Sequence, residues 1–108
     1  MNPIASDLIA QIKLYNPEVD STQIEKAVEY ARVMHGEQTR SSGEPYYTHP
    51  VEVAGILAEL KMDLATIVTA ILHDTLEDTK ATYEDLEKKF SPEVASLVNG
   101  VSKLTKIE

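Results

Sequence analysis

Four titratable side chains lie close together in the sequence between His73 and Asp78, directly after an apolar run. His73 and Glu77 are four residues apart, and residues with this spacing share one face of a helix. Asp74 and Asp78 have the same spacing. Because polar groups buried beside apolar side chains are costly without partners, a simple interpretation is that they bind a cation and act on a water molecule. The alternative is an acidic helix end that faces solvent, and this segment alone does not decide between the two.

A metal ion needs ligands from more than one element of the fold, and His49 is the natural candidate for a second one. It lies at the start of the predicted helix that precedes the one bearing His73. If a short turn near residues 61–63 joins these helices into an antiparallel pair, the start of one lies near the end of the other. Two imidazoles and the Asp74 carboxylate suit a divalent transition metal such as manganese or iron, and they leave positions open for water or substrate.

Helix-start signals divide the chain into about six helices, and no segment has the pattern of a strand. Each signal is a polar capping residue or a proline ahead of an apolar stripe with helical spacing. The signals are Asn2-Pro3, Asp20-Ser21-Thr22, Pro50, Asp63, Thr82 and Ser91-Pro92. At 108 residues the chain is predicted to form one all-α domain, residues 1–108. Side chains from facing helices would then build any metal site.

Charge and composition exclude several classes of partner. The chain has a net charge of −8, and its arginines, Arg32 and Arg40, are isolated, so no basic stripe exists to bind nucleic-acid phosphates. No segment approaches the roughly 20 apolar residues of a membrane span, so no membrane partner is expected. The absence of cysteine excludes disulfides and thiolate metal ligands, and it fits a reducing cytoplasm.

Three ring-bearing side chains near the candidate site have a simpler interpretation than chemistry. His35 ends an apolar stripe and is interpreted as a buried or loop-anchoring histidine rather than a metal ligand. Tyr46 and Tyr47 are interpreted as packing or loop-anchoring residues rather than as groups that stack on a base.

Three stretches of the sequence resemble the hydrolase domain of the RelA/SpoT family, which belongs to the HD superfamily. The first is residues 40–50, a loop that ends in Thr-His-Pro. The second is residues 70–79, which contain the His-Asp and Glu-Asp pairs, and the third is residues 90–104. The match extends over roughly residues 24–107, with several motifs at matching spacing. The resemblance implies an HD-type helical bundle. It also implies an enzyme that removes pyrophosphate from the 3′ position of the alarmones ppGpp and pppGpp, with manganese as cofactor.

Carried over position by position, the resemblance implies roles for five residues. The family's metal ligands correspond to His49, His73 and Asp74. Its catalytic acidic pair corresponds to Glu77 and Asp78. In these roles the metal would lower the pKa of a bound water, and the acidic pair would orient that water or transfer its proton.

The nucleotide-binding loop of the family corresponds to Arg40, Ser41 and Ser42, and Arg40 could stack on the guanine base or pair with a phosphate. Two departures from the family make this loop more acidic. Ser41 stands where the family usually has lysine, and Glu37 stands where it usually has glycine. The expected ligand is a guanosine polyphosphate, which a metal and a few nearby basic side chains would have to hold.

The family's fourth metal ligand is an aspartate in a later helix, within a motif like Ala-Asp-Arg-Leu-His-Asn, and no such motif occurs before Glu108. We therefore expect a partial HD domain that binds metal weakly and has little hydrolase activity alone. The alternatives are a non-catalytic module that binds nucleotide or a protein partner, and a remnant without function.

The apolar fourth helix is expected to lack some of the neighbours that cover it in the family. Its stripe is then predicted to leave an exposed apolar face, which usually marks an interaction surface. The residues of this face are Ile67, Val68, Ile71 and Leu72. The expected result is a homo-oligomer formed through the fourth helix, or a loosely folded monomer.

Overall fold

Seven helical segments make up the computed structural model, which describes residues 2–105. They are α1 Pro3–Lys13, α2 Ser21–His35, α3 Thr48–Glu59, α4 Leu64–Leu72, α5 Thr75–Asp78, α6 Tyr83–Lys89 and α7 Pro92–Thr105. Within residues 2–105 no strand forms, and one isolated antiparallel bridge pairs Thr39 with Pro45. The predicted all-α class is confirmed. None of these helices is both long enough and apolar enough to cross a membrane.

Local sequence signals account for where most of the helices begin. Asp63 caps α4 by accepting a hydrogen bond from the Thr66 backbone N–H at 2.9 Å. Thr82 caps α6 in the same way, accepting from the Asp85 N–H at 3.2 Å. Asn2 caps α1 directly ahead of a proline. Each cap satisfies one of the N–H groups that the first turn of a helix leaves unpaired.

The apolar helix α4 lies at the centre of the bundle, in contact with α2, α3 and α7. The four large side chains of its apolar stripe are each 2% exposed or less: Ile67, Val68, Ile71 and Leu72. The prediction that they form an exposed face is wrong, because α7 packs against α4 and adds its own buried residues to the same core. The homo-oligomer predicted through this face therefore has no exposed surface on which to form.

The structure also corrects the prediction of one continuous helix through Asp78. α4 ends at Leu72, and the four-residue helix α5 begins at Thr75. The His73 ring donates a hydrogen bond from Nδ1 to the Ala70 carbonyl at 2.6 Å. The Thr75 hydroxyl donates to the Leu72 carbonyl at 2.7 Å. These side-chain bonds to the last turn of α4 compete with the backbone ladder that would continue the helix. The α-helix therefore ends at Leu72, although His73 and Asp74 keep backbone angles in the right-handed helical region.

The burial of α4 predicts that substitution of two leucines by alanine will lower the free energy of unfolding by very different amounts. Leu72 is 0% exposed, whereas Leu60, just after α3, is 62% exposed. Leu72→Ala should lower the free energy of unfolding by about 2–5 kcal/mol, because it opens a cavity in the core. Leu60→Ala should change it by no more than about 0.5 kcal/mol. Urea denaturation followed by circular dichroism measures both. Equal losses at the two positions would contradict the buried position of α4.

Candidate metal centre

Three side chains of metal-binding type meet where α3 begins and α4 ends. His49 lies in the first turn of α3, His73 follows the last residue of α4, and Asp74 precedes the first residue of α5. One potential ligand atom from each lies within 4.8 Å of the other two. They meet because α3 and α4 form a helical hairpin, closed by a turn in which Lys61 has a left-handed φ of 60°.

The His73 ring is held in one orientation and one tautomer. A carbonyl oxygen only accepts hydrogen bonds, so the bond to the Ala70 carbonyl places the ring proton on Nδ1. In the neutral ring Nε2 then carries a lone pair, and it lies 3.2 Å from Asp74 Oδ1. Two atoms that both present lone pairs repel each other at this distance. A cation bound beside these atoms would offset this repulsion.

The centre is partly open to solvent. The His73 side chain is 19% exposed and the Asp74 side chain 16%, and His49 is also partly buried. The centroids of the two imidazole rings are 6.4 Å apart. Two imidazole nitrogens and a carboxylate oxygen are ligands that divalent transition metals accept. The donor set fits such a metal, and the remaining exposure leaves a path for water or another ligand.

Tyr46, which the sequence predicts only as a loop anchor, reaches this centre with its hydroxyl. The hydroxyl donates a hydrogen bond to Asp74 Oδ2 at 2.8 Å. Burial, followed by this hydrogen bond and the negative charge of Asp74, raises the pKa of Tyr46 to about 12, so the hydroxyl keeps its proton at neutral pH. No local pattern singles out Tyr46, because its partner lies 28 residues away in the sequence.

Glu77 and Asp78, the predicted catalytic pair, lie on α5 and are both exposed. Among residues 2–105, neither belongs to the group of mutually close ligand atoms. Glu77 is linked to α7, because its Oε1 accepts a hydrogen bond from the buried Ser102 hydroxyl at 2.9 Å. The Gln38 side chain donates to the Asp78 backbone carbonyl at 2.7 Å. These two bonds hold α5 against α7 and against the segment after α2.

The predicted nucleotide loop is ordered by its own hydrogen bonds. The Arg40 N–H donates to the Glu44 carbonyl, and the Gly43 N–H donates to the Arg40 carbonyl, each at 2.8 Å. Gly43 has a φ of 92°, a conformation that glycine adopts at little cost. The Ser42 hydroxyl donates to the Glu44 carboxylate at 3.3 Å, and Ser41 is exposed. The loop is therefore shaped before any ligand binds.

The Arg40 guanidinium is already paired. Its Nη1 lies 2.9 Å from Glu52 Oε1 and 3.4 Å from Thr48 Oγ1. The hydrogen bond between the two charged groups lowers the pKa of Glu52 and raises that of Arg40. Because Glu52 and Thr48 lie on α3 with His49, the pair keeps the loop next to the helix that carries a candidate ligand. An ion pair this exposed contributes little to stability, so an anion could replace Glu52.

Comparison with known proteins finds similarity over most of the chain. A family model described as HD domain matches residues 27–108. The chain is 45% identical over 102 residues to the GTP pyrophosphokinase rsh of Brucella ovis, a match that covers 94% of this chain and 14% of that protein. It is 55% identical over 97 residues to the bifunctional (p)ppGpp synthase/hydrolase SpoT of Escherichia coli strain K12, covering 90% of this chain and 14% of that protein.

The same identity, length and coverage hold for the guanosine-3′,5′-bis(diphosphate) 3′-pyrophosphohydrolase of Escherichia coli O157:H7. The chain thus spans about one-seventh of the length of these relatives, since each match covers 14% of the longer protein. All eight residues of the predicted site lie in the segment that the family model matches.

The geometry of the centre predicts stabilisation by a divalent metal. Mn²⁺ should raise the thermal unfolding midpoint, because only the folded chain brings the three ligands together. At a free concentration 100 times the dissociation constant, a bound ligand stabilises the fold by about 2.7 kcal/mol. Scanning fluorimetry with and without EDTA measures the effect. Asp74→Ala should remove it, and Asp78→Asn, which changes an exposed carboxylate outside the cluster, should retain it. Equal shifts in the wild type and both variants would indicate non-specific binding to an acidic surface.

Proposed function

Because this chain belongs to the HD-domain family, we propose that it hydrolyses guanosine 3′,5′-bis(diphosphate), ppGpp, to GDP and pyrophosphate in the cytoplasm. Manganese is the proposed metal, with His49, His73 and Asp74 as its ligands. The observation that carries the proposal is that one ligand atom from each of these residues lies within 4.8 Å of the other two, a geometry that suits one shared metal ion. The names of the similar Escherichia coli proteins support the choice of substrate.

The proposed reaction adds water to the phosphorus atom that is bonded to the ribose O3′. The bond between this phosphorus and O3′ breaks, pyrophosphate leaves, and O3′ takes up a proton, so the product GDP keeps its 5′-diphosphate. A divalent metal bound by the three ligands would activate water as a Lewis acid and offset the negative charge of the 3′-diphosphate.

In this proposal the acidic pair on α5 accepts and donates the protons that move during hydrolysis. Glu77 accepts a proton from the attacking water, and Asp78 transfers to O3′ a proton that it takes from solvent. The hydrogen bond from Ser102 supports this role, since it holds the Glu77 carboxylate at 2.9 Å and limits its rotation. Their exposure supports it too, because both groups can exchange protons with solvent after each turnover.

The loop of Arg40, Ser41 and Ser42 is the proposed nucleotide site. Arg40 exchanges its partly exposed partner Glu52 for a phosphate, or stacks its planar guanidinium on the guanine base. The two serine hydroxyls donate hydrogen bonds to the nucleotide. The ordered backbone of the loop supports this assignment, because a loop that is shaped in advance loses less conformational entropy on binding.

A second candidate function is a non-catalytic module that binds a guanosine polyphosphate or a protein partner. One observation favours it: the metal cluster in the described part of the chain contains three ligands. Nucleotide binding needs neither a tightly held metal nor a proton acceptor, so it tolerates a weaker site than hydrolysis does.

Hydrolysis is tested by incubating the chain with ppGpp and MnCl₂ and separating GDP and pyrophosphate by anion-exchange chromatography. Glu77→Gln should slow turnover by about 10²–10⁴-fold, the range typical of a lost general base. Glu87→Gln is the matched control, because Glu87 is an exposed glutamate on α6 and should leave turnover unchanged. His73→Ala should abolish turnover.

The outcomes separate the two candidate functions. Turnover that Glu77→Gln leaves unchanged would remove Glu77 from the mechanism. Calorimetric binding of ppGpp without release of pyrophosphate would favour the binding module. Absence of both ppGpp binding and turnover would reject hydrolysis and nucleotide binding alike, and of these candidates only a module that binds a protein partner would remain.

A further inference from the structure

We infer that Tyr46 is a positioning residue for the metal centre. Tyr46 holds one oxygen of Asp74 so that the other oxygen faces His73. The inference deepens the proposed function and rests on its metal site. Its starting point is that the two oxygens of the Asp74 carboxylate contact different side chains. Oδ2 accepts the hydrogen bond from the Tyr46 hydroxyl at 2.8 Å, while Oδ1 lies 3.2 Å from His73 Nε2.

The backbone of Tyr46 is connected to a second member of the cluster. Its carbonyl accepts a hydrogen bond from the His49 N–H at 3.0 Å. Its own N–H donates to the Gln38 carbonyl at 2.8 Å, which attaches the residue to the segment after α2. Tyr46 therefore contacts two of the three candidate ligands, Asp74 through its side chain and His49 through its main chain.

The Tyr46 ring packs near two histidine rings. The centroid of the buried His35 ring lies 4.8 Å away, and that of His49 lies 5.9 Å away. His35 is itself held by a contact of 3.1 Å between its Nδ1 and the Gln38 amide oxygen. This packing limits rotation of the ring, so the hydroxyl has little freedom to leave Asp74.

The hydrogen bond matters because a free carboxylate can rotate and can bind a metal through one oxygen or through both. Occupying Oδ2 favours binding through Oδ1 alone, at the position that Nε2 of His73 also faces. Groups that orient metal ligands in this way typically contribute about 10–100-fold in metal affinity. Removing only the Tyr46 hydroxyl should therefore weaken metal binding while the packing of the ring remains.

The adjacent residue provides a matched control. Tyr47 is also a partly buried tyrosine in the same turn. Its hydroxyl accepts a hydrogen bond at 3.0 Å from the side chain of Asn2, the residue that caps α1, and Asn2 is not part of the cluster. Tyr46→Phe and Tyr47→Phe each delete one hydroxyl and one side-chain hydrogen bond. A purely structural role for both residues predicts similar effects on stability and none on metal affinity.

The experiment is calorimetric titration of the wild type, Tyr46→Phe, Tyr47→Phe and Asp74→Ala with MnCl₂, with thermal unfolding of each metal-free protein. We expect Tyr46→Phe to raise the dissociation constant for Mn²⁺ about 10–100-fold. Tyr47→Phe should bind like the wild type, and the two Phe variants should unfold at similar temperatures. The visible spectrum of the Co²⁺-loaded protein should change in Tyr46→Phe but not in Tyr47→Phe, because without the Tyr46 hydroxyl the Asp74 carboxylate can bind through both oxygens.

Two negative results can be told apart. If the wild type binds Mn²⁺, Asp74→Ala abolishes binding, and Tyr46→Phe binds like the wild type, the positioning role is overturned and the proposed metal site stands. If the wild type does not bind Mn²⁺, or Asp74→Ala binds equally well, both the site and the role of Tyr46 are overturned. Equal losses of affinity in Tyr46→Phe and Tyr47→Phe would assign the effect to the turn as a whole and would also overturn the inference.

Discussion

The hydrogen bond from the His73 ring to the Ala70 carbonyl, 2.6 Å long, links the folding of this chain to its candidate chemistry. Through this bond the His73 side chain donates to the last turn of α4. The Thr75 hydroxyl donates to the Leu72 carbonyl in the same turn. Consecutive residues on a continuous helix point in directions that diverge. At the end of α4, however, Nε2 of His73 and Oδ1 of Asp74 lie only 3.2 Å apart.

The buried helix α4 gives this junction a rigid base. Each large aliphatic side chain that α4 buries contributes about 1.5–3 kcal/mol relative to an exposed one. Its contacts with α2, α3 and α7 therefore hold the end of the helix, and with it His73, in one place. His73 and Asp74 directly follow the buried helix α4. Their polar groups therefore lie at the edge of the apolar core, where Asp74 accepts a hydrogen bond from Tyr46 in the loop before α3. Precise ligand geometry depends on such support from rigid elements.

Electrostatics of the whole chain bear on what the centre can bind. A protein with a net charge of −8 repels a polyanion unless a cation lies between them. The predicted nucleotide loop adds little positive charge, because Glu52 neutralises Arg40. A divalent metal at the His49, His73 and Asp74 cluster would reverse the local charge, so metal binding and nucleotide binding are expected to be coupled.

Several features of the fold and the candidate site could be read from the sequence, because they depend on residues only a few positions apart. The caps at Asp63 and Thr82 and the all-α class belong to this group, since helical periodicity and side-chain capping act within about one turn. The expected hairpin of the third and fourth helices likewise follows from the short segment between them. The roles assigned to the cluster follow from the resemblance of its motifs to a known family, and they remain proposals.

The tertiary structure alone decided which side chains meet and which face is covered. The contact between Tyr46 and Asp74 joins residues 28 positions apart, and Arg40 is paired across 12 positions with Glu52. α7 covers the side of α4 that the sequence suggests is exposed, and the junction at His73 divides a helix that the sequence suggests is continuous. Periodicity identifies the apolar face of each helix but not its neighbour. The neighbour is determined when the whole chain packs so as to bury those faces together and to pair the polar groups at their edges.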